Sequence, residues 1–335
     1  MTAERRPTIV DVAREAGVSR SLVSLVLQNP EKVGAVRKQA VHDAMARLGY
    51  RPNAAARTLA QQRTDTVGVL ISDLHNPFYT EIIDGIEEEA AAHRLRTLIA
   101  SGGRDPDRER DAANTFVELR VEGLILLTPR LATDDIAALG AALPTVVVGR
   151  PGEQPVGCGH VHTDDHAGIG LAVEHLAGLG HVRIAHVSAG DNPGARAREA
   201  AYREWMTRAG LERSIDVVKA EPNQDGGRAA AMELLARPSR PTAILASNDF
   251  VAVGILGAAH EAGVAVPEQL SIVGYDNSIF AQLEPVQLTT VNQPRSLMGV
   301  TAARLLRAQA EGEPPSAVAL QPELVRRATS GPPPR

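Results

Sequence analysis

Most of the chain alternates between short apolar runs and longer amphipathic segments. Continuous apolar runs beyond about residue 64 predict buried strands at Val67–Ile71, Leu95–Ala100, Gly123–Thr128, Thr145–Val148, Ile184–Val187, Ala243–Ala246 and Ser271–Val273. Between them, apolar residues at helical spacing predict helices at Tyr79–His93, Asp107–Leu119, Gly168–Leu179, Ala195–Ala209, Gly226–Ala236 and Val251–Ala262. Such alternation is typical of parallel sheet. The stretch from Val161 to Asp165 divides two similar series, so we expect two doubly wound lobes.

Polar and aromatic residues follow several of these strands. They are Asp73, Asn76 and Phe78, then Gly149 and Arg150, Ser188 and Arg198, Asn248 and Asp249, and Asp276. Ligands of doubly wound sheets bind outside the carboxyl ends of the strands, so these residues are expected to converge on a cleft between the lobes. Structural roles remain open for each: Asn248 and Asp276 could cap helices or form Asx-turns, Arg198 could lie on the surface and Phe78 in the core.

The first fifty residues have a purely helical pattern. Thr8 and Asp11 form a capping-box pattern that opens a first helix, which stops at Gly17. Ser19 can cap a second helix, Arg20–Leu27, whose inward face would be Leu22, Val23 and Val26, and Asn29-Pro30 ends it. A third helix, Ala35–Leu48, ends at Gly49 and is expected to pack beneath this pair through Val36, Ala40, Val41, Ala44, Met45 and Leu48.

This three-helix block fits a helix-turn-helix. Ala13 is small enough for a close helix crossing, Gly17 can adopt positive φ in the turn, and Val23 can fill the space between the helices. The solvent face of the second helix would then carry Arg20, Ser21, Ser24 and Leu25 into a DNA major groove. Arg20 can bond guanine, the serines can bond bases or phosphates, and Leu25 can contact a thymine methyl group. The alternative is a merely solvated helix face.

Charge supports the DNA interpretation. Residues 1–60 hold 10 Lys and Arg against 5 Asp and Glu, a balance of +5, whereas the other 275 residues hold 25 against 35, a balance of −10. A basic module on an acidic body is typical of nucleic-acid binders, because neutralising phosphates releases counterions. The total of −5 conceals this division.

Other function classes find little support in the sequence. We expect a cytoplasmic protein with no membrane contact, because the N-terminus MTAERRP has no apolar run and no stretch is long enough to span a bilayer. Cys158 is the only cysteine, which excludes an internal disulfide and a thiolate metal cluster. His162 and His166 need not converge on a metal, and Asp165 is better explained as a helix N-cap. No phosphate-binding loop or Ser–His–Asp pattern occurs, so we expect no metal, no cofactor and no enzyme activity.

The N-terminal block resembles the DNA-binding head of the lactose-repressor (LacI/GalR) family of bacterial transcription regulators. The following run, YRPNAAARTLA, is similar to the family's hinge, a short helix that orders on DNA and inserts a leucine into the minor groove. Leu59 matches that leucine; the structural alternative is a linker residue packed on the body. Many members carry Arg where this chain has Leu25, so the resemblance leaves the operator sequence open. The expected DNA-contacting residues are Thr8, Ser19, Arg20, Ser21, Ser24, Leu25, Asn29, Asn53, Ala56, Arg57 and Leu59.

The rest of the chain resembles the family's periplasmic-binding-protein-like effector domain, notably in NPFY, LAVEHLAGLGH, PTAILASNDFVAVG and LSIVGYDN. The resemblance implies that Arg198, Asn248 and Asp276 contact the effector and that Phe78 and Arg150 form walls of its cleft. Asp73, which follows the first strand, is also expected to bind the ligand. Arg and Asp side chains that hold vicinal hydroxyl groups would suit a sugar.

The expected organisation is therefore an all-α head and a two-lobed α/β body. It comprises a helix-turn-helix domain at 1–50, a hinge and linker at 51–63, an effector and dimerisation domain at 64–329, and a tail at 330–335. The lobes are expected at 64–161 plus 293–320 and at 162–292 plus 321–329. We expect a homodimeric repressor that binds a pseudo-palindromic double-stranded DNA operator and responds to a small-molecule effector. The main alternative is a small-molecule binding or transport protein, and an enzyme comes third.

Overall fold

The computed structural model describes residues 7–51, 64–149, 152 and 154–334. The chain divides into two compact units, one that ends at Thr64 and one that begins at Asp65. The hinge residues Asn53, Ala56, Arg57 and Leu59 lie outside the described residues, as does Arg150.

The first unit contains the three predicted helices, α1 (Ile9–Glu15), α2 (Arg20–Gln28) and α3 (Ala35–Leu48). Thr8 and Asp11 form the predicted capping box, and the Ser19 hydroxyl accepts a hydrogen bond from the Leu22 N–H at 3.2 Å. Gly17 has a φ of 66°, as the turn requires. Because α1 is only two turns long, its stability depends on the shared apolar core, which is built around Val12, Val23, Val26, Val41 and Ala44.

The prediction that Val36 lies in the core of the head is wrong. Val36 is 85% exposed, although its helix forms as expected. The buried face of α3 is defined by Val41 and Ala44, with Leu48 partly buried beside them. At 3.6 residues per turn, Val36 lies about a third of a turn from the centre of that face, so it points to solvent.

The second unit is built on two six-stranded sheets. The first sheet has the order β11-β5-β4-β3-β1-β2 and is entirely parallel. Its strands are β1 (Thr66–Ile71), β2 (Arg96–Ser101), β3 (Gly123–Leu127), β4 (Thr145–Val148), β5 (Gly159–Thr163) and β11 (Ala317–Leu320). Its helices are α4 (Phe78–Ala92), α5 (Pro106–Glu118), α6 (Thr133–Ala142) and α12 (Arg295–Ala310).

The second sheet repeats this order as β12-β10-β9-β8-β6-β7, and only β12 runs antiparallel to its neighbour. Its strands are β6 (Ile184–Ala189), β7 (Asp216–Ala220), β8 (Ala243–Ala246), β9 (Ser271–Asp276), β10 (Thr289–Asn292) and β12 (Glu323–Val325). Its helices are α7 (Asp165–Gly178), α8 (Pro193–Arg208), α9 (Gln224–Leu235), α10 (Asp249–Glu261) and the short α11 (Ile279–Gln282). The predicted pair of doubly wound lobes is confirmed.

Each sheet is covered by helices on both faces. In the first lobe, α4 and α12 cover one face and α5 and α6 the other. In the second lobe, α9 and α10 cover one face and α7 and α8 the other. Burial on both faces explains why the central strands read as continuous apolar runs instead of alternating ones.

The edge strand β2 departs from its prediction as a buried strand. Leu98 is 39% and Ile99 41% exposed, because β2 lies at the end of the strand order and pairs only with β1. Edge position depends on topology, which a local apolar run does not encode.

The polypeptide passes between the lobes at three points. It leaves the first lobe after β5, returns after β10 to form α12 and β11, and crosses again to β12. The helix α12 packs so closely on α4 that a Cβ at Gly299 would lie 2.0 Å from the Ile82 carbonyl oxygen. Glycine is therefore required there by the close approach of the two backbones.

Candidate functional sites

A cleft lies at the carboxyl ends of both sheets, and the empty space in and over it, open solvent included, is about 850 Å³. In each sheet the strand order reverses at one point, between β1 and β3 in the first and between β6 and β8 in the second. Open α/β sheets bind ligands at such switch points. The lining side chains include Ser72, Asp73, Asn76, Phe78, Tyr79, Arg104, Thr128, Arg130, His162, Asp165, Asn192, Arg198, Ser247, Asn248, Asp276 and Gln293.

Arg198 is the most firmly held cation of the cleft. Its Nε donates to an Asp165 carboxylate oxygen at 2.9 Å, and its Nη1 donates to the Ser247 carbonyl oxygen at 2.7 Å. Its guanidinium carbon lies 4.0 Å from the centre of the Tyr275 ring. Burial alone would lower the pKa of Arg198, but the charge of Asp165 and the other acidic groups around it raises the pKa further above its ordinary value. Arg198 is therefore a fixed positive charge with a fixed orientation.

Asp276 faces the same guanidinium across 4.0 Å and ends strand β9. Its φ of 116° is rare for a residue with a side chain and costs about 1–3 kcal/mol. Burial raises the pKa of the Asp276 carboxyl above its ordinary value, Arg198 opposes that rise, and buried Asp249 adds to it. Gln293 donates to an Asp276 carboxylate oxygen at 2.7 Å. The second oxygen of the carboxylate leaves an acceptor for a ligand in the cleft.

Two asparagines place helix N-termini at the cleft. Asn248 caps α10 by accepting a hydrogen bond from the Val251 N–H at 2.8 Å, and Asn192 caps α8 through the Ala195 N–H at 3.0 Å. Asn248 therefore caps a helix, which was the structural alternative considered for it, and it also lines the cleft. Each side-chain oxygen is used by its cap, whereas each NH₂ group can donate to a ligand.

The first lobe supplies aromatic walls. Phe78 is 5% exposed and meets Tyr79 edge to face, with ring centres 5.5 Å apart. The Tyr79 hydroxyl is hydrogen-bonded to the Thr128 hydroxyl, and burial raises the pKa of Tyr79 to about 12. Phe78 also belongs to the core of the first lobe, so its core and cleft roles coincide.

An arginine joins the two lobes at the cleft. The Arg104 Nη2 donates to the Asp73 carboxylate and, at 3.1 Å, to the Pro222 carbonyl oxygen of the second lobe. Burial raises the pKa of Asp73, but hydrogen bonds from His75 and the charge of Arg104 outweigh burial and lower it overall. Asp73 is therefore ionised at neutral pH and already paired.

The structure thus brings five of the six expected ligand-binding residues to one cleft, namely Asp73, Phe78, Arg198, Asn248 and Asp276. Four further lining residues were not predicted from the sequence, namely Arg104, Arg130, Asn192 and Gln293, and the role predicted for Asp165 was wrong. Asp164, not Asp165, caps α7, through the Ala167 N–H at 2.9 Å. Asp165, the first residue of that helix, instead orients Arg198, and two consecutive acids at a strand end were the signal that one of them was free to do so.

On the head, one face of α2 carries the expected base-contacting residues. Arg20, Ser21, Ser24 and Leu25 line a shared surface depression, and Arg20 and Ser21 are exposed. Ser19 and Thr8 both act as helix caps, with the Thr8 hydroxyl 2.6 Å from an Asp11 carboxylate oxygen. Asn29 is the C-cap of α2, and its N–H donates to the Leu25 carbonyl oxygen at 2.8 Å.

The two histidines considered for a metal site, His162 and His166, have different neighbours. His162 stacks on His160 with ring centres 4.7 Å apart, whereas His166 pairs with Glu204 at 3.1 Å. Within the described ranges, no cluster of three or more His, Cys, Asp or Glu side chains is arranged to hold a metal ion. Among the helices that the structure describes, none combines the length and hydropathy needed to cross a bilayer.

Comparison with known proteins agrees with this arrangement. A family model for bacterial regulatory proteins of the lacI family matches residues 8–53, and a model for the periplasmic binding protein-like domain matches residues 173–330. The HTH-type transcriptional regulator GalR of Escherichia coli (strain K12) is 34% identical over 327 residues, which are 96% of this chain and 94% of GalR. The chain belongs to the LacI family.

Solved structures of LacI-family proteins have the same fold. The lac repressor dimer bound to operator and the anti-inducer ONPF matches 98% of this chain and 100% of its own, with a TM-score of 0.87 and 29% identity. The complex of the transcriptional regulator CelR with cellobiose matches 97% of this chain and 100% of its own, with a TM-score of 0.71 and 31% identity. The protein is therefore a DNA-binding transcription regulator with a periplasmic-binding-protein-like body, and its relatives of this family are regulators instead of enzymes or transport proteins.

Proposed function

We propose that this protein is a repressor that binds a pseudo-palindromic operator as a homodimer, and that a small polyhydroxylated effector in the cleft changes its affinity for DNA. The observation that carries the proposal is the convergence of Arg198, Asn248 and Asp276, all from the second lobe, on one cavity. The similarity to the CelR–cellobiose complex supports a sugar-like ligand.

The three side chains suit vicinal hydroxyl groups. Asp276 accepts from a hydroxyl, while Arg198 and the Asn248 NH₂ group donate to hydroxyl oxygens. Asp165 holds Arg198 in place before the ligand arrives, so little conformational entropy is lost on binding. Phe78 contributes an apolar wall against which the carbon face of a sugar ring can lie.

Effector control requires that the ligand contact both lobes differently in two states. The cleft is lined by both lobes, and Arg104 already connects them through Asp73 and Pro222. If the ligand binds the two arrangements of the lobes with different affinities, it shifts the equilibrium between them. The shift in free energy equals the difference between its two binding free energies. In this proposal residues 1–50 bind DNA, 51–63 form the hinge with Leu59 as the minor-groove residue, and 64–329 bind the effector and dimerise. The protein would work in the cytoplasm, where the DNA is.

The DNA contacts are proposed for Arg20, Ser21, Ser24 and Leu25, which lie on the accessible face of α2. Thr8, Ser19 and Asn29 lie at helix ends of the same head, where backbone and hydroxyl groups suit phosphate contacts. Asn53, Ala56, Arg57 and Leu59 remain predictions, as does the wall position of Arg150.

A ligand screen followed by DNA binding tests the proposal. Monosaccharides, disaccharides, nucleosides and purines are added to the full-length protein, and the shift in Tm identifies compounds that stabilise the folded state. An operator is obtained by selecting bound sequences from random DNA, and its affinity is measured with and without each stabilising compound. The proposal expects a two-fold symmetric site whose affinity the compound changes. An asymmetric site, or no effect of any stabilising compound on DNA binding, would contradict it.

A further inference from the structure

Among the described residues that line the cleft, there are three carboxylates and three arginines, but they are not evenly paired. Its acidic groups are Asp73, Asp165 and Asp276, and its arginines are Arg104, Arg130 and Arg198. Arg104 is bound by Asp73, and Arg198 is bound by Asp165 with Asp276 at 4.0 Å. All three carboxylates therefore face one of these two arginines.

Arg130 is the arginine of this set for which the described residues supply no side-chain partner. Within the described part of the chain, its guanidinium makes no hydrogen bond and no ion pair, although the residue is partly buried and lines the cleft. A neutral sugar does not require such a group, because hydroxyl groups are already served by Asp276, Asn248 and Arg198. A partly desolvated arginine fork is the group that proteins use for phosphate and carboxylate.

The backbone of Arg130 is fixed, although its side chain has no partner among the residues that the structure describes. Its N–H donates to a Glu109 carboxylate oxygen at 2.6 Å, and the Leu131 N–H donates to the same oxygen at 3.2 Å. Glu109 is fully buried, and its other oxygen accepts from the Ser72 hydroxyl at 2.9 Å. Glu109 therefore ties the loop after β3 to the end of β1, and it presents Arg130 at the first-lobe side of the switch point.

We propose that the effector is an anionic polyol, and that Arg130 binds its phosphate or carboxylate group while the second lobe holds its hydroxyl groups. This inference rests on the proposed function, since it specifies the chemical class of the ligand in the same cleft. The anionic group would lie on the first lobe and the hydroxyl groups on the second, so a single ligand would contact both lobes. Such a ligand stabilises the closed cleft more than a neutral sugar of the same stereochemistry does.

Matched ligands test the proposal. Binding of glucose, glucose 6-phosphate and glucuronate, and of the corresponding galactose and ribose series, is measured by calorimetry on the full-length protein, with inorganic phosphate as the probe for the anion alone. The proposal expects at least one phosphate or carboxylate to bind about tenfold or more tightly than its neutral parent. Comparison of the phosphate and carboxylate ligands identifies which anionic group the cleft binds.

Variants then identify the residue responsible. Arg130→Gln is expected to remove the advantage of the anionic ligand, so that the ratio of its affinity to that of the neutral parent falls about tenfold, whereas Arg130→Lys retains part of the advantage. Arg110→Gln is the matched control, because Arg110 lies on the same lobe but pairs with Asp107 and Asp135 on the exposed surface. Circular dichroism confirms that each variant is folded.

The outcomes separate the two proposals. A neutral sugar that binds as tightly as its phosphate and carboxylate, and that changes operator affinity, would overturn the anionic effector while leaving the proposed function intact. Equal losses for neutral and anionic ligands in Arg130→Gln would also overturn it. If none of these compounds nor any in the wider screen binds, both the effector proposal and this inference are wrong.

Discussion

The two arginines at the proposed sites of recognition are held very differently. Arg20, on the head, is exposed, and no hydrogen bond or ion pair of its side chain occurs within the described residues. Arg198, in the cleft, has a side chain that is only 15% exposed and is bound by a carboxylate, a carbonyl oxygen and an aromatic ring. The Arg20 side chain can therefore order when DNA binds, whereas the Arg198 side chain has a fixed orientation before any ligand binds.

This difference matches the two kinds of ligand. DNA brings a dense array of phosphates that position the protein, so a single base-reading side chain can order on binding. A small effector makes few contacts, and each immobilised side chain would cost about 0.5–1.5 kcal/mol of its affinity. Preorganisation therefore matters more in the cleft than on the recognition helix.

The largest expected effect follows from removing the organised arginine. Arg198→Ala leaves Asp165 and Asp276 buried without their cation, so we expect the free energy of unfolding to fall by about 3–5 kcal/mol and effector binding to be lost. Chemical denaturation and calorimetry measure the two effects. Arg196→Ala, on the same helix but with an exposed ion pair to Asp191, is the control and should change neither by much.

A double variant keeps this prediction falsifiable if Arg198→Ala fails to fold. Arg198→Met combined with Asp165→Asn removes both charges, so stability should largely return while effector binding should not. Return of effector binding as well would show that Arg198 only supports the fold.

A smaller effect is expected from the free arginine. Arg20→Ala should reduce operator affinity by about 1–3 kcal/mol and relax base preference at one position of each half-site, with no change in stability. Quantitative binding to single-base operator variants provides the measurement. Arg14→Ala removes an exposed charge from α1 and should weaken binding to all sequences alike. A uniform loss for Arg20→Ala would contradict base reading by Arg20.

The pH dependence of effector binding tests the role proposed for Asp276 in the cleft. Burial raises the pKa of Asp276, so its carboxylate is protonated as the pH falls through that raised value, and it then loses an acceptor for the ligand. Effector affinity should therefore fall between about pH 8 and pH 5, by up to about tenfold per unit below the pKa. Titration calorimetry with a neutral ligand measures this, and Asp276→Asn should give a weak but flat profile. A sloping profile in that variant would assign the dependence to another group.

The same raised pKa has a defined effect on stability. Folded Asp276 binds its proton more tightly than the unfolded chain does, so its contribution to the free energy of unfolding is present below its ordinary pKa of about 3.9 and is lost as the pH rises through the raised value. This is opposite in sign to Asp73, whose pKa is lowered and whose contribution is lost as the pH falls through its lowered value.

The smallest effect is expected at the cap of the recognition helix. Ser19→Ala removes the hydrogen bond to the Leu22 N–H and should destabilise the head by about 1 kcal/mol, without altering effector affinity. Hydrogen exchange of the α2 amide groups provides the measurement. Ser19→Thr retains the capping oxygen and should restore protection, and failure to do so would mean that Ser19 acts through contacts other than the cap.

The sequence predicted the features that depend on local pattern. Capping at Thr8 and Ser19, the turn at Gly17 and the apolar central strands are all encoded within a few residues, and the structure has them. Features set by long-range topology were wrong or missed, namely the exposed edge at Leu98 and Ile99 and the pairing of Asp165 with Arg198, which lies 33 residues away. The lack of a partner for the Arg130 side chain among the described residues is of this kind as well, because it depends on which acids the other arginines already pair with. Val36 is an error of another kind, because the helical period itself places it away from the buried face of α3.

The order of synthesis gives the last strands of the body a special importance. β11 completes the first sheet beside β5, and a few residues later β12 completes the second beside β10. The Thr329 hydroxyl then bonds to both the Ile272 carbonyl oxygen, at 2.7 Å, and the Thr289 N–H, at 2.9 Å. While this segment is still inside the ribosome, neither lobe can close its sheet. The body is therefore expected to stay incomplete until residues 317–329 are available, so a chain truncated before this segment would carry the head without a complete body.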